Sequence, residues 1–383
     1  MNIISKLPEQ GTSIFTVMSA MALEHGAINL SQGFPEFEVS PELVDRIYHY
    51  MTKGHNQYAP MPGTPQLRKE IARVTEENYG RKTDENNEIT IFSGATEALF
   101  SSITTLIHPG DEVILFDPAY DSYDPAIKLS GGIPIHIELS YPDFTIPWNI
   151  VREKISSKTK LIIINTPHNP TGTVLSEGDM KELIALVKEH DLWVLSDEVY
   201  EWIIFDNKSH VSVLKYPELK DRSIAVFSFG KTFHATGWKM GYAIAGESLT
   251  KELRKVHQFV TFSVNTPIQL AMADHLKVRE NYTSLPDLYQ PKRDHFLNLI
   301  KDLPLTPLTC SGTYFQLLSY AGISDEDDRT FSEKMTKEWG VAVIPVSVFY
   351  EKKTDHKLIR VCFAKNQDTL DKAVENIRKN YRN

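Results

Sequence analysis

Cysteine is scarce in this sequence of 383 residues: Cys310 and Cys362 stand far apart, with no Cys-x-x-Cys or Cys/His spacing around either. A disulfide framework needs several paired cysteines and a zinc site needs closely spaced ligands, so neither is expected, and both thiols fit a reducing compartment. Positive charge is also in short supply, with 41 Lys and Arg against 50 Asp and Glu and a net charge of −9. Binding a nucleic-acid backbone draws on a dense field of Lys and Arg, so no nucleic-acid partner is expected. Long apolar runs are missing as well, none approaching the roughly 20 residues of a membrane-spanning helix. Met1 to Gln10, broken by Lys6, Pro8 and Glu9, lacks the apolar core of a secretory leader. The chain therefore reads as cytoplasmic, with no membrane partner.

What remains is an ordinary globular composition, 41% hydrophobic and 24% charged, in a chain long enough for a large core and two or three domains. From Ile89 to Gly246, short Val- and Ile-rich runs alternate with longer amphipathic segments. That alternation predicts an α/β architecture, a parallel sheet with helices on both faces. The expected strands are Ile89–Phe92, Glu112–Phe116, Ile133–Glu138, Leu161–Asn165, Trp193–Ser196, Ile224–Ser228 and Tyr242–Ala245. Helices are expected at Thr96–Ile107 and Glu177–His190. Strand-like runs recur late in the chain, at Gly340–Pro345 and Leu358–Phe363, and the proline-bearing stretch Asn281 to Pro291 marks a candidate boundary. The expected division is a large domain over 46–284 and a smaller one built from 1–45 and 285–383.

Ligands of open α/β sheets collect beyond the carboxyl ends of the strands, and the unusual residues of this chain fall there. Ser228-Phe229-Gly230-Lys231-Thr232 leaves an apolar strand and enters a glycine-containing loop. An amine held at the end of a buried strand loses hydration, which lowers its pKa toward the neutral form that attacks carbonyls. A phosphate-binding P-loop is excluded, because the glycine it needs five residues before Gly230 is Ala225. Asn165-Thr166-Pro167-His168-Asn169-Pro170-Thr171-Gly172 follows another apolar strand, and Asp197-Glu198-Val199-Tyr200 follows the next.

Asn-Pro-Thr-Gly, then Asp-x-x-Tyr, then Ser-x-x-Lys with a cation eight residues on occur here as Asn169, Asp197, Tyr200, Ser228, Lys231 and Lys239. In this the chain resembles, over essentially its full length, the class I aminotransferases of pyridoxal 5′-phosphate (PLP) fold type I. The resemblance implies a mostly parallel central sheet in a large domain, a smaller α+β domain built from both termini, and PLP held as a Schiff base on Lys231. It assigns Asp197 to the pyridine nitrogen, whose proton makes the ring an electron sink, and Asn169 and Tyr200 to the phenolic oxygen. Tyr120 falls where the family stacks an aromatic ring on the pyridine. For the phosphate, the resemblance points to the amides of Ala95 and Thr96 at a helix start, with Ser228 and Lys239. The wider family more often has arginine at this last place, so Lys239 offers a point charge in place of a bidentate fork.

Family likeness also implies a homodimer in which Tyr58 reaches the neighbouring site, and assigns Arg360 to the substrate carboxylate. Asn169, Gly33, Phe15 and Phe34 are the remaining candidate substrate contacts. The expected reaction is a ping-pong transfer of the α-amino group from an amino acid to a 2-oxo acid. Within the family the chain looks most like methionine aminotransferases and the related kynurenine and glutamine transaminases, through 232–239 and through Phe262-Ser263-Val264-Asn265-Thr266-Pro267. No second arginine suggests itself for an acidic side chain, so methionine is the first expectation and aromatic amino acids the next. The alternative is a C–S β-lyase of the same fold, which would use the same lysine but release pyruvate and ammonia from cystathionine.

Overall fold

The computed structural model describes residues 3–382. Seven strands form the central sheet: β1 (Ile89–Phe92), β2 (Glu112–Asp117), β3 (Ile133–Glu138), β4 (Thr159–Asn165), β5 (Trp193–Asp197), β6 (Ser223–Ser228) and β7 (Gly241–Ala245). Their order across the sheet is β1-β7-β6-β5-β4-β2-β3. Neighbours run parallel except at β7, which is antiparallel to both β1 and β6. All seven expected strands are present within a residue or two at each end.

The sheet is apolar on both faces because both are covered. Alternate residues of a strand point to opposite sides, and here they enter two different cores. Ile162 and Ile164 of β4 join one cluster with Ile114 and Phe116 of β2, while Leu161 and Ile163 join another with Val113 and Leu115. Helix α1 (Ala95–Leu106) packs Ala98, Leu99 and Ile103 into the second cluster. Helix α2 (Glu177–His190) packs Met180, Leu183 and Leu186 into the first, and has the limits read from sequence. It starts there because Ser176 and Asp179 close a reciprocal capping box.

A second sheet lies late in the chain: β8 (Thr306–Pro307), β9 (Phe315–Ser319), β10 (Ile344–Pro345) and β11 (Leu358–Cys362), antiparallel in the order β10-β11-β9-β8. It shares an apolar cluster with helices α3 (Leu285–Ile300) and α4 (Gln367–Asn380) and with Leu30 from near the amino terminus. The early segment is stitched in by backbone: Ile28–Asn29 pairs with Val341–Ala342, and the Cys362 amide donates to the Leu30 carbonyl at 2.8 Å. The single run expected at Gly340–Pro345 is thus two short strands, Val341–Ala342 facing the early segment and Ile344–Pro345 facing β11. The proline-bearing stretch Asn281 to Pro291 is helical, and Pro291 lies inside α3. Pro286 suits the first turn, where its missing N–H would be unbonded anyway. Among the described residues, no helix is long and apolar enough to cross a membrane.

Candidate active site

Strand ends deliver the site. Beyond the carboxyl ends of β2, β4, β5 and β6 lie Tyr120, Asn169, Asp197 with Tyr200, and Ser228 with Lys231, all lining one cavity of about 300 Å³. Ala95 and Thr96 of α1 and Lys239 line it too, and Phe15, Gly33 and Arg360 close it from the chain's two ends.

Lys231 follows β6 directly. Burial pushes its amine down to about 8, with help from the Arg360 and Lys239 charges and against the pull of Cys362 and Asp197. Its nitrogen lies 3.0 Å from the Tyr314 hydroxyl and 3.4 Å from the Gly33 carbonyl oxygen. Asp197 ends β5, and burial pushes its carboxyl up to about 6. The Tyr123 hydroxyl, donating at 2.6 Å, and the Val199 amide, at 3.4 Å, act against that rise. Among the described residues, no cation pairs with this carboxylate at ion-pair distance.

Helix α1 opens on the cavity without a side-chain cap, so the N–H groups of its first turn are left for a guest. Gly94 before it has φ of +79°, and a Cβ there would lie 3.2 Å from Cε and 3.4 Å from Nζ of Lys239. A bare backbone at this place lets the lysine amine approach the helix start, concentrating positive potential where an anion would sit.

Arg360, on β11, is buried with Nη1 donating to Asn169 Oδ1 at 2.9 Å and Nη2 to the Ser31 carbonyl at 3.2 Å. Among the described residues its Nε has no partner, and burial pulls the guanidinium down to about 10. The ring of Phe315 lies 3.9 Å from its central carbon, with Phe15 at 5.2 Å and Phe349 at 5.5 Å. A desolvated cation on the cavity wall with apolar neighbours, and with no carboxylate at ion-pair distance among the described residues, is suited to take one.

Two expected contacts lie off this cavity. Phe34 is not on the wall; it is half exposed, with its ring 4.8 Å from the Lys365 amine. Tyr58 is 83% exposed and packs edge-on against Phe262. Three residues went unread in the sequence: Tyr123, which holds Asp197; Tyr314, beside Lys231; and Asn165. The Asn165 side chain donates to the Asp197 carbonyl and accepts from the Asn169 amide, both at 2.8 Å, tying two strand ends together. An Asn closing an otherwise apolar strand was its one available signal.

An amine, a buried carboxylate without a counter-cation, and an open helix start beside a lysine make a socket for a phosphorylated, cationic ring. Residues 25–377 match the family model for class I and II aminotransferases, and the chain belongs to that family, whose members depend on PLP. It is 51% identical to the methionine aminotransferase of Escherichia coli strain K12, over 98% of this chain and 97% of that protein. It is 34% identical to the kynurenine–oxoglutarate transaminase of Dictyostelium discoideum, over 96% and 94%. A crystal structure from Escherichia coli, reported as identifying a methionine aminotransferase function, superposes with a TM-score of 0.97 at 50% identity, covering 99% of this chain and all of that one.

Proposed function

We propose that this aminotransferase moves the α-amino group of methionine, and less readily of aromatic amino acids, to a 2-oxo acid by a ping-pong reaction, with PLP bound at Lys231. The observation that carries this is the convergence of a desolvated amine, a buried carboxylate and an unpaired guanidinium on one cavity.

The first-turn amides at Ala95 and Thr96, with Ser228 and Lys239, would hold the phosphate. Asp197 would face the ring nitrogen and keep its proton in place, Asn169 and Tyr200 would donate to the phenolic oxygen, and Tyr120 would stack on the ring. Bound PLP supplies an electron sink for the pair released at the substrate α-carbon. Arg360 fixes the substrate carboxylate through charge-assisted hydrogen bonds, so that the α-C–H faces Lys231. The Lys231 amine, whose pKa burial lowers to about 8, would take that proton as a general base and pass it on to the cofactor within the same half-reaction, and the opposite half-reaction would run the same transfer in reverse. Phe15 and Phe315 shield these transfers from water and offer an apolar wall to a thioether.

Among the described residues, the cation on the cavity wall besides Lys231 and Lys239 is Arg360, which favours uncharged substrate side chains over acidic ones. The identity to the Escherichia coli methionine aminotransferase supports methionine among them. Exposed Tyr58 packs against Phe262, also exposed, in a surface suited to a second copy, and we assign Tyr58 to the phosphate of that copy's site. We also assign 46–284 to a large domain and 1–45 with 285–383 to a small one.

The test is a single-turnover spectrum of the PLP-loaded chain with methionine and no 2-oxo acid. Bleaching of the visible cofactor band with stoichiometric 4-(methylthio)-2-oxobutanoate is expected. An unchanged spectrum would remove methionine as substrate, and pyruvate from cystathionine would replace transfer with β-elimination.

A further inference from the structure

The Tyr314 hydroxyl stands between two site groups: it lies 2.6 Å from the Gly33 carbonyl oxygen and 3.0 Å from the Lys231 nitrogen. A phenol has one proton to donate, and the shorter contact, to an oxygen that can only accept, claims it. Toward Lys231 the phenol oxygen is therefore an acceptor. A neutral amine carries two N–H bonds and one lone pair, and here the two N–H bonds have two acceptors, Tyr314 Oη at 3.0 Å and the Gly33 carbonyl at 3.4 Å.

We propose that Tyr314 and the Gly33 carbonyl form a bracket that orients the free Lys231 amine, engaging both N–H bonds and leaving its lone pair for the substrate α-proton. Tyr314 is thus a positioning residue for proton transfer, and this rests on Lys231 being the reactive amine of the proposed function.

Surrounding structure holds the phenol in place. Its ring is enclosed by Tyr200, Tyr289 and Phe315, at centroid distances of 5.2, 5.7 and 4.9 Å. Burial raises its pKa well above the usual value, so it stays protonated and does not compete as a base. Thr313 before it has φ of +66°, a region that β-branched residues rarely enter. The Thr313 amide donates to the Ile203 carbonyl at 2.9 Å, and its hydroxyl accepts from the Phe315 amide at 3.1 Å, so this backbone is fastened on both sides.

The experiment uses Tyr314→Phe, which keeps the ring and removes the oxygen. The full chain is loaded with the amine form of the cofactor, which leaves Lys231 free, and acetic anhydride labelling of Lys231 is followed against pH by peptide mapping. Asp197 and Cys362 favour the charged amine while Arg360 and Lys239 disfavour it, and the variant leaves all four in place. Loss of an acceptor for the ammonium should move the Lys231 titration to lower pH. In turnover, kcat with methionine should fall about tenfold to a hundredfold as the base loses its aim. KM should hold, and the isotope effect from α-deuterated methionine should rise. Incorporating 3-fluorotyrosine at position 314, a weaker acceptor of nearly the same shape, should shift the titration by less in the same direction, and serves if the phenylalanine variant folds poorly. An unchanged titration and isotope effect, with the borohydride-reduced cofactor still on Lys231, would overturn the bracket alone. A reduced adduct on another lysine would overturn both the bracket and the function proposed above.

Discussion

At the Asp197 end of the cavity, the protein has already supplied donors to its buried charge: the Tyr123 hydroxyl at 2.6 Å and the Val199 amide at 3.4 Å. At the Arg360 end the guanidinium is answered by two neutral oxygens, from Asn169 and Ser31, and Nε is answered by nothing. Under the proposed function this difference separates a guest that stays from one that leaves. A carboxylate meant to hold one cofactor through many turnovers can be fixed by neighbours that also restrain its pKa. A cation that must accept and release a carboxylate every half-cycle is held by neutral acceptors, so that arrival supplies the missing negative charge and departure exposes no new buried anion.

The comparison can be broken at the residue between the two ends. Lys231→Ala should lower transamination by about 10⁴-fold, the upper range for a general base, and leave no borohydride-reduced adduct on the protein. PLP affinity measured by fluorescence should fall far less, because the contacts at the Asp197 end remain. Arg360→Ala attacks the transient end: kcat/KM for methionine should drop by about 2–5 kcal/mol in transition-state terms, with PLP binding nearly unchanged. A large loss of PLP affinity in that variant would show that the ends are not independent. Tyr123→Phe attacks the permanent end and should weaken PLP binding by about 1.5–3 kcal/mol, the range for a hydrogen bond to a charged acceptor. Its donor holds the Asp197 pKa down, so losing it raises that pKa above about 6. Since cofactor binding uses the ionised form, present above the pKa, affinity should then fail at a higher pH on acidification.

The smallest effect lies outside the cavity, at His136. Burial alone would depress this imidazole, but hydrogen bonds and charge attraction from Asp117, at 2.8 Å, and Asp124, at 3.3 Å, raise it to about 9. A folded pKa above the unfolded one gives stability that is complete below about 6.5 and lost as pH rises through about 9. His136→Gln should therefore lower stability by on the order of 1–2 kcal/mol at pH 6, after solvent screening, and by almost nothing at pH 10, measured by urea denaturation. Activity per folded molecule should not follow.

The permanent end was far more legible in the sequence than the transient one. Asn169, Asp197, Tyr200, Ser228 and Lys231 each sit just past an apolar run, so period and turn chemistry place them on one edge of the sheet. Tyr123 escaped because it opens a short helix among Asp121, Ser122 and Asp124, where nothing in the local pattern marks it, and its partner is 74 residues away. Tyr314 escaped for a similar reason: it comes just before β9, among turn residues, and meets Lys231 across 83 positions. Phe34 neighbours Gly33, but adjacent residues need not face the same way, and its ring lies beside Lys365. The split of 340–345 into two short strands was invisible because both halves are equally apolar and only their partners differ.

The reversed direction of β7 has a consequence for how this protein can change. A parallel strand would begin at the far edge of the sheet and require a long crossover. Because β7 instead pairs with β6 as a hairpin, Gly241 opposite Ser228, one brief excursion carries Ser228, Lys231 and Lys239 together. Ser228 is pinned by its pairing with Gly241, so a one-residue insertion between them would displace Lys231 or Lys239 relative to Ser228, whereas insertions between other strands could be absorbed by helices. Length variation among relatives should therefore be smallest between positions 228 and 241.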